Sequence, residues 1–222
     1  MVIEPRLHNP CGGDLALDFV NSIGRSPGRF GRERLADYAA LLTWSRQAGS
    51  LPEARAGVLG RLAKEEPARA AKVLARARKL REALFETFRA ESKSVEPPTE
   101  ARVEALATIN AELERALVHV RVERSGEGWT WSWAGEAALD APLWPIARAA
   151  AELLVSPDRA LVKECDSETC LWLFLDRTRN RRRRWCEMAG CGNRAKVRRH
   201  RRRKREGARH GGAADPGRKP GR

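Results

Sequence analysis

Two pairs of cysteines constrain this chain more than any other feature. Cys165 with Cys170 and Cys186 with Cys191 share one internal spacing, and fifteen residues separate the pairs. Zinc takes four soft ligands at tetrahedral corners, and a short loop between two cysteines lets both sulfurs turn onto one ion. The spacing therefore predicts a structural Zn²⁺ site with these four ligands. Free thiols, two disulfides, an iron–sulfur cluster or a redox switch are the alternatives.

The fifth cysteine and the start of the chain indicate the compartment. Cys11 stands apart in an apolar stretch, where a small buried hydrophobe is the better interpretation. Residues 1–10 have neither a basic segment nor an apolar one, so they do not form a secretory signal. No apolar run reaches the roughly 18 residues that span a bilayer. We therefore expect a cytoplasmic protein whose cysteines are thiols or metal ligands.

Positive charge is concentrated in the last third of the chain. The net charge is +14, and residues 156–222 hold 21 Lys/Arg against 8 Asp/Glu. Residues 1–155 hold 22 basic and 21 acidic residues, so they are nearly neutral. This asymmetry is typical of a nucleic-acid binder, and it places the binding surface in the C-terminal part.

The basic residues form two patches, one on each side of the second cysteine pair. A predicted helix from Asn193 to Arg205 is basic almost throughout, and four consecutive arginines precede Cys186. Arginine outnumbers lysine, and its planar fork suits phosphate and guanine edges. A solvated basic tail is the bland alternative, and residues 207–222 are predicted to be disordered. The predicted nucleic-acid contacts are Arg181, Arg182, Arg183, Arg184, Arg194, Lys196, Arg198, Arg199, Arg201 and Arg202.

The nearly neutral part predicts a helical domain. Apolar residues recur at helical spacing in several segments, and Ser50-Leu-Pro-Glu53 is typical of a capping box. The fold class is therefore mainly α, with a helical N-terminal domain over residues 1–155 and a small zinc finger over residues 156–206. The predicted helices cover 32–47, 50–62, 67–92, 99–117 and 143–155.

One β-hairpin is expected inside the helical domain. Valines alternate with polar residues from Val118 to Val122, and tryptophans alternate with small polar residues from Trp129 to Trp133. The tryptophans could form a base-stacking platform. Alternation of this kind is more typical of a sheet face packed under helices, so core packing is the prediction.

Two polar residues interrupt an apolar segment that is predicted to be helical. Asp18 and Asn21 are three residues apart among Leu15, Phe19 and Ile23. They either satisfy buried backbone groups, which we favour, or line a pocket for a small-molecule effector. An enzyme with its site near Asp14, Asp18 and Asn21 is the weakest hypothesis, since no nucleophile, base or cofactor loop supports it.

The C-terminal motifs resemble the CGNR zinc finger family. They comprise the two cysteine pairs, Trp172-Leu-Phe-Leu-Asp176, Arg177-Thr-Arg-Asn180 and Cys191-Gly-Asn-Arg194-Ala-Lys196. Leu171 and Thr178 depart from the commoner glycine and serine. The resemblance implies a treble-clef-like finger in which a hairpin follows the first cysteine pair and Cys191 opens the last helix.

The N-terminal segment from Gly12 to Ser22 resembles the opening of the ABATE domain, which usually precedes this finger. That family is described as stress-induced transcription regulators. The resemblance implies a bacterial-type regulator that binds DNA and is not an enzyme. An RNA- or ribosome-associated zinc protein is the alternative, because phosphate contacts alone do not distinguish DNA from RNA.

Overall fold

The computed structural model describes residues 5–26, 29–93, 98–135 and 137–210. The helices within these residues are α1 (Leu15–Val20), α2 (Tyr38–Gln47), α3 (Glu53–Glu65), α4 (Pro67–Lys93), α5 (Thr99–Leu117), α6 (Trp144–Val155) and α7 (Asn193–His210). The strands are β1 (Ile23–Ser26), β2 (Arg29–Glu33), β3 (Val120–Ser125), β4 (Gly128–Trp133), β5 (Val162–Glu164) and β6 (Leu173–Leu175). They form three antiparallel hairpins, β1–β2, β3–β4 and β5–β6. The mainly α fold class is confirmed.

The chain divides into two compact units, residues 1–186 and 187–222. The larger unit holds α1 to α6 and all six strands, and the smaller unit holds α7. The domain bounds predicted at 155 and 206 stay a prediction. Residues 207–210, predicted to be disordered, belong to α7, and the rest of that tail lies outside the described residues.

The core of the larger unit is built around α1. Leu17, Phe19 and Val20 have no exposed surface, and α1 contacts α4, α6 and β6. Leu173 and Leu175 of β6 belong to the same core as these helices. The hairpin that carries the first cysteine pair is therefore part of the main hydrophobic core.

Two helix starts differ from the prediction. Asp37 caps α2, since its carboxylate accepts the amide N–H of Ala40 at 2.7 Å, so this helix begins at Tyr38 and not at Arg32. The capping box is wrong: α3 begins after Pro52, and the hydroxyl of Ser50 donates to the carbonyl of Ser45 at 3.1 Å. Side-chain caps compete with one another locally, so sequence spacing alone does not decide which forms.

The first hairpin was not predicted. Ile23, assigned by its pattern to the first helix, lies on β1 opposite Glu33 of β2. Gly24 and Gly31 face each other so closely that a Cβ on Gly31 would lie 2.9 Å from the Cα of Gly24. A side chain on Gly31 would therefore displace the backbone of β1, and a Cβ on Gly24 would lie a tight 3.1 Å from the Cα of Gly31.

The tryptophan hairpin forms with the expected strands, but its predicted burial is wrong. Val122 lies opposite Trp131 and Arg124 opposite Trp129. Trp131 is 55% exposed and Trp129 is 73% exposed. At the base of the hairpin the ring of Trp133 lies 6.1 Å from that of Trp144, and the guanidinium of Arg148 lies 4.2 Å from the ring centroid of Trp131. These contacts leave most of the surface of Trp131 and Trp129 in solvent.

The apolar residues Val103, Leu106, Leu113 and Leu117 predict the buried face of the fourth helix, and the structure buries a different face. Val103 and Leu106 of α5 are at least half exposed, whereas Ile109 and Glu112 are buried. Glu112 accepts two hydrogen bonds from the guanidinium of Arg76, at 2.9 and 2.6 Å. This two-bond ion pair allows a carboxylate to occupy the buried face.

Across the residues described, every helix is too short or too polar to cross a lipid bilayer.

Candidate metal centre and basic surfaces

The first cysteine pair lies in the loop of the β5–β6 hairpin. Cys165 follows β5 directly, and its amide donates to the carbonyl of Trp172 at 2.9 Å. The amide of Cys170 donates to the carbonyl of Ser167 at 2.9 Å, which closes a tight turn between the two cysteines. This turn is the zinc knuckle that the family resemblance implies for Cys165 and Cys170. The resemblance placed a hairpin after it, whereas the hairpin here encloses it.

The second pair flanks a short helical turn. Cys191 lies in the turn Met188–Gly192, immediately before α7, and this turn is closed by the amide of Gly192 donating to the carbonyl of Glu187 at 3.2 Å. Cys191 therefore lies in a helical turn that runs without a break into α7, which agrees with the expectation that it opens the last helix. The turn fixes where α7 begins relative to the ligand.

The four sulfurs have the spacing that one zinc ion requires. All four cysteines are buried, and their Sγ atoms lie within 4.8 Å of one another. The Sγ atoms of Cys170 and Cys186 are 3.8 Å apart, and a tetrahedron with Zn–S bonds of about 2.3 Å has edges of about 3.8 Å. This separation is far too long for a disulfide bond. The donor set and its dimensions fit Zn²⁺, so a metal-binding cluster is present.

The protonation of the cluster also favours a cation. Hydrogen bonds from the thiols of Cys170 and Cys186 lower the pKa of Cys165 to about 2. The bond to Cys165 raises the pKa of Cys170. The two shifts are opposite in direction, because neighbouring sulfurs compete for the negative charge. A bound Zn²⁺ would remove this competition, because it stabilises all four thiolates together.

Cys11 is a fifth thiol next to the cluster. It is buried, as expected, and its thiol is hydrogen-bonded to that of Cys186, which raises the pKa of Cys186. The Nη2 atom of Arg183 donates both to the carbonyl of Cys11, at 2.9 Å, and to the carbonyl of Cys186. The two carbonyl oxygens therefore lie close together. Sequence spacing could not show this, because the two residues are far apart in the chain.

Asn21 connects α1 to the metal hairpin. Its amide nitrogen donates to the carbonyl of Leu173 at 2.8 Å, and its amide oxygen accepts the N–H of Leu173 at 3.0 Å. Trp172 adds a bond from its indole nitrogen to the carbonyl of Ile23 at 2.9 Å. Both backbone groups of Leu173 are thus satisfied by one buried side chain.

Asp18 has a comparable structural role. Its carboxylate accepts the amide of Gly12 at 2.8 Å and lies 3.1 Å from Nε2 of His8. Burial raises the pKa of Asp18, and these hydrogen bonds oppose that shift. The geometry supports the structural role for Asp18 and Asn21 that the sequence favours. Neither residue lines the two cavities described below.

The basic loop, residues 177–184, is held by a buried carboxylate. Asp176 has no exposed surface and accepts hydrogen bonds from Nζ of Lys163 at 2.6 Å, from the amide of Arg183 at 3.0 Å, and from Thr178. Burial alone would raise the pKa of Asp176, but these donors lower it to about 2. A fully paired carboxylate at this position fixes both ends of the loop. The position of Asp176 in the sequence does not indicate this role.

The four predicted contacts in the basic loop differ in their surroundings. Arg181 and Arg182 are exposed. Arg184 is exposed too, with its Nε 2.6 Å from Oδ2 of Asp166. Arg183 is half-buried, and its guanidinium donates to backbone carbonyls and lies 4.4 Å from the ring centroid of Phe174. This geometry gives Arg183 a structural role.

The predicted contacts on α7 are mostly exposed. Lys196, Arg199, Arg201 and Arg202 are exposed, and Arg198 is half-buried. The Nη2 atom of Arg194 lies 3.0 Å from Sγ of Cys191. A cationic donor on a metal ligand stabilises the thiolate and orients it, which is a positioning role.

Two cavities lie in the larger unit. One, of about 870 Å³, borders the metal hairpin and is lined by Cys165, Ser167 and residues of the basic loop. The other, of about 430 Å³, lies between α4 and α5, and Ala83 and Ala105 are among its lining residues. The first cavity brings basic side chains close to the metal centre, but Glu164 and Asp166 also line it.

Comparison with known families gives two matches that together cover most of the chain. Residues 13–157 match the model of the ABATE domain, described as "Putative stress-induced transcription regulator". Residues 162–204 match the model of the CGNR zinc finger. No curated protein matches the chain. Both matches agree with the sequence resemblances, and neither description is that of an enzyme.

Proposed function

Because the chain belongs to the ABATE family and carries a CGNR zinc finger, we propose that it is a zinc-dependent transcription regulator that binds DNA. One observation carries this proposal: exposed basic side chains follow the last zinc ligand directly, on a single helix. The basic loop adds exposed arginines just before Cys186.

The charge pattern of α7 favours a polyanionic partner. Like charges three and four residues apart destabilise a helix, and Arg198, Arg201 and Arg202 stand in that relation. The helix has no continuous apolar face, and Val197 is 49% exposed. Phosphates would remove the repulsion by neutralising the arginines, so binding and helix stability would support each other.

The shape of the basic element favours DNA over RNA. A helix of 18 residues is about 27 Å long, and the major groove of B-form DNA admits an α-helix. The major groove of A-form RNA is too narrow for side chains to read. Zinc would serve the helix indirectly, by fixing the turn that contains Cys191 and thereby the start of α7.

Two triple variants test this assignment with equal changes of charge. Lys196, Arg199 and Arg201 are changed to Gln in one variant, and the exposed Arg61, Lys64 and Lys72 are changed to Gln in the control. Fluorescence anisotropy with a duplex DNA at about 0.15 M salt should show that only the first variant loses DNA affinity, by at least roughly tenfold. An equal loss of affinity in both variants would contradict a binding site on α7.

The same titration with duplex and single-stranded RNA of matching sequence separates the two nucleic acids. We expect duplex DNA to bind more tightly than either RNA. Tighter binding of RNA would favour the RNA- or ribosome-associated alternative. Sequencing the nucleic acid that co-purifies with the intact chain identifies the target without a choice of probe.

A further inference from the structure

The β3–β4 hairpin carries an apolar face that is largely open to solvent, although the guanidinium of Arg148 lies 4.2 Å from the ring centroid of Trp131. Val122 is 57% exposed, and Trp131 and Trp129 on the same face are more than half exposed. A two-stranded hairpin by itself is marginally stable in water, and exposed tryptophans at this density mark a contact surface. A partner is therefore expected on this hairpin.

The outer edge of β3 is open to another strand. The sheet of β3 and β4 has two strands, and His119 uses its carbonyl to accept the amide of Ala134 across the pair. Since hydrogen-bonding direction alternates along a strand, Val120, Val122 and Arg124 direct their backbone groups away from β4. These groups form an edge to which a further strand can add.

The charges along β3 are complementary to those of a second β3. Arg121 and Glu123 share the polar face of the hairpin and flank Val122 symmetrically. In an antiparallel pair centred on Val122, Arg121 of each strand lies opposite Glu123 of the other. Opposite charges directly across a strand pair stabilise it, so this register has two favourable ion pairs.

The hairpin does not have the charge expected of a nucleic-acid surface. Its two arginines, Arg121 and Arg124, are balanced by Glu123 and Glu127. The exposed tryptophans could stack on bases, but a phosphate chain would gain little from a neutral surface. Self-complementary charge favours a second copy instead.

We propose that β3 pairs antiparallel with β3 of a second copy of this chain, about a two-fold axis at Val122, so that two hairpins form one four-stranded sheet. On its apolar face the side chains follow the order Trp131, Val122, Val122 and Trp131 across the dimer. In the single chain the guanidinium of Arg121 donates to the carbonyls of Val118 and Val120, at 3.1 and 2.7 Å. In the dimer the edge carbonyl of Val120 would instead accept the amide N–H of Arg124 in the second copy. The guanidinium of Arg121 would then be able to pair with Glu123 of that copy.

Sedimentation equilibrium of the intact, zinc-loaded and nuclease-treated chain tests this pairing. We expect a concentration-dependent dimer at about 0.15 M salt, where exposed charges still act over roughly 8 Å. Arg121→Glu should raise the dimer dissociation constant by roughly tenfold or more, since two attractive pairs become repulsive. The double change Arg121→Glu with Glu123→Arg should restore it. Arg61→Glu, on α3, is the matched control and should leave it unchanged.

Two further measurements keep the test decisive. Val122→Lys places two like charges at the axis and should also abolish the dimer, while circular dichroism should show unchanged helix content because Val122 is exposed. A chain that stays monomeric at about 100 μM would overturn the proposal, as would a dimer that neither charge reversal affects. Loss of single-stranded DNA binding by a monomeric Trp131→Ala variant would assign the face to nucleic acid, which also contradicts it.

Discussion

Replacing Asn21 by alanine tests whether the metal hairpin depends on the helical core. The change removes two hydrogen bonds and leaves both the N–H and the carbonyl of Leu173 buried without a partner. Each unsatisfied buried group costs about 1–3 kcal/mol, so the expected loss of unfolding free energy for the two groups is about 2–6 kcal/mol. For a chain of this size that corresponds to a fall in melting temperature of roughly 4–24 °C.

Thermal unfolding by circular dichroism measures this change, with Asn110→Ala as the control. Asn110 is exposed on α5, so its replacement should change the unfolding free energy by less than about 0.5 kcal/mol. We also expect the Asn21 variant to release zinc to a chelator faster, because β6 positions the knuckle. A variant that unfolds and retains zinc like the wild type would refute the coupling of α1 to the metal centre.

Three other changes separate the roles of residues around the metal centre. Because the pKa of Asp176 is lowered, its contribution to the free energy of unfolding is present above about pH 4 and is lost as the pH falls toward 2. The stability difference between wild type and Asp176→Asn is expected to be about 2 kcal/mol at neutral pH. Acid denaturation curves should show this difference shrinking between about pH 4 and pH 2. Arg183→Lys should lower the melting temperature while Arg182→Lys does not, although both keep the charge, because only the first donates to several carbonyls; equal melting temperatures would contradict the structural role. Elemental analysis should find about one zinc per chain in Cys11→Ser and less in Cys186→Ser, and zinc loss from the first would make Cys11 a ligand.

The parts of the fold that sequence analysis predicted correctly depend on local patterns. Helical periodicity located most of the helices, and alternation located β3 and β4 with their pairing. The zinc ligands are also a local signal, because each cysteine pair closes a short loop. In these cases the residues that define the structure are neighbours in the chain.

Several of the errors arise where distant segments decide the result. The face that α5 buries is set by Arg76, which pairs with Glu112 from another helix. The exposure of Trp129 follows from how far the hairpin reaches beyond the helices. Alternation shows that a strand has two different faces, but it does not show whether anything packs on the apolar one.

The candidate site combines both kinds of information. The ligands follow from spacing, whereas Cys11, Asn21 and Asp176 acquire their roles only through contacts with residues that are remote in sequence or packed around a loop. Arg183 is the clearest case. In sequence it is one of four equivalent arginines, and in the structure the carbonyls of Cys11 and Cys186 distinguish it from its neighbours.

The salt dependence of DNA binding by the intact, zinc-loaded chain tests the central claim most directly. If α7 and the basic loop neutralise phosphates, the logarithm of the binding constant falls linearly with the logarithm of salt concentration, by about 0.9 for each contact. We predict a steep slope that becomes shallower by about one unit when Arg199 alone is changed to alanine. Binding that hardly changes between low and high salt would contradict an electrostatic nucleic-acid interface and would indicate a protein surface as the partner of the basic helix.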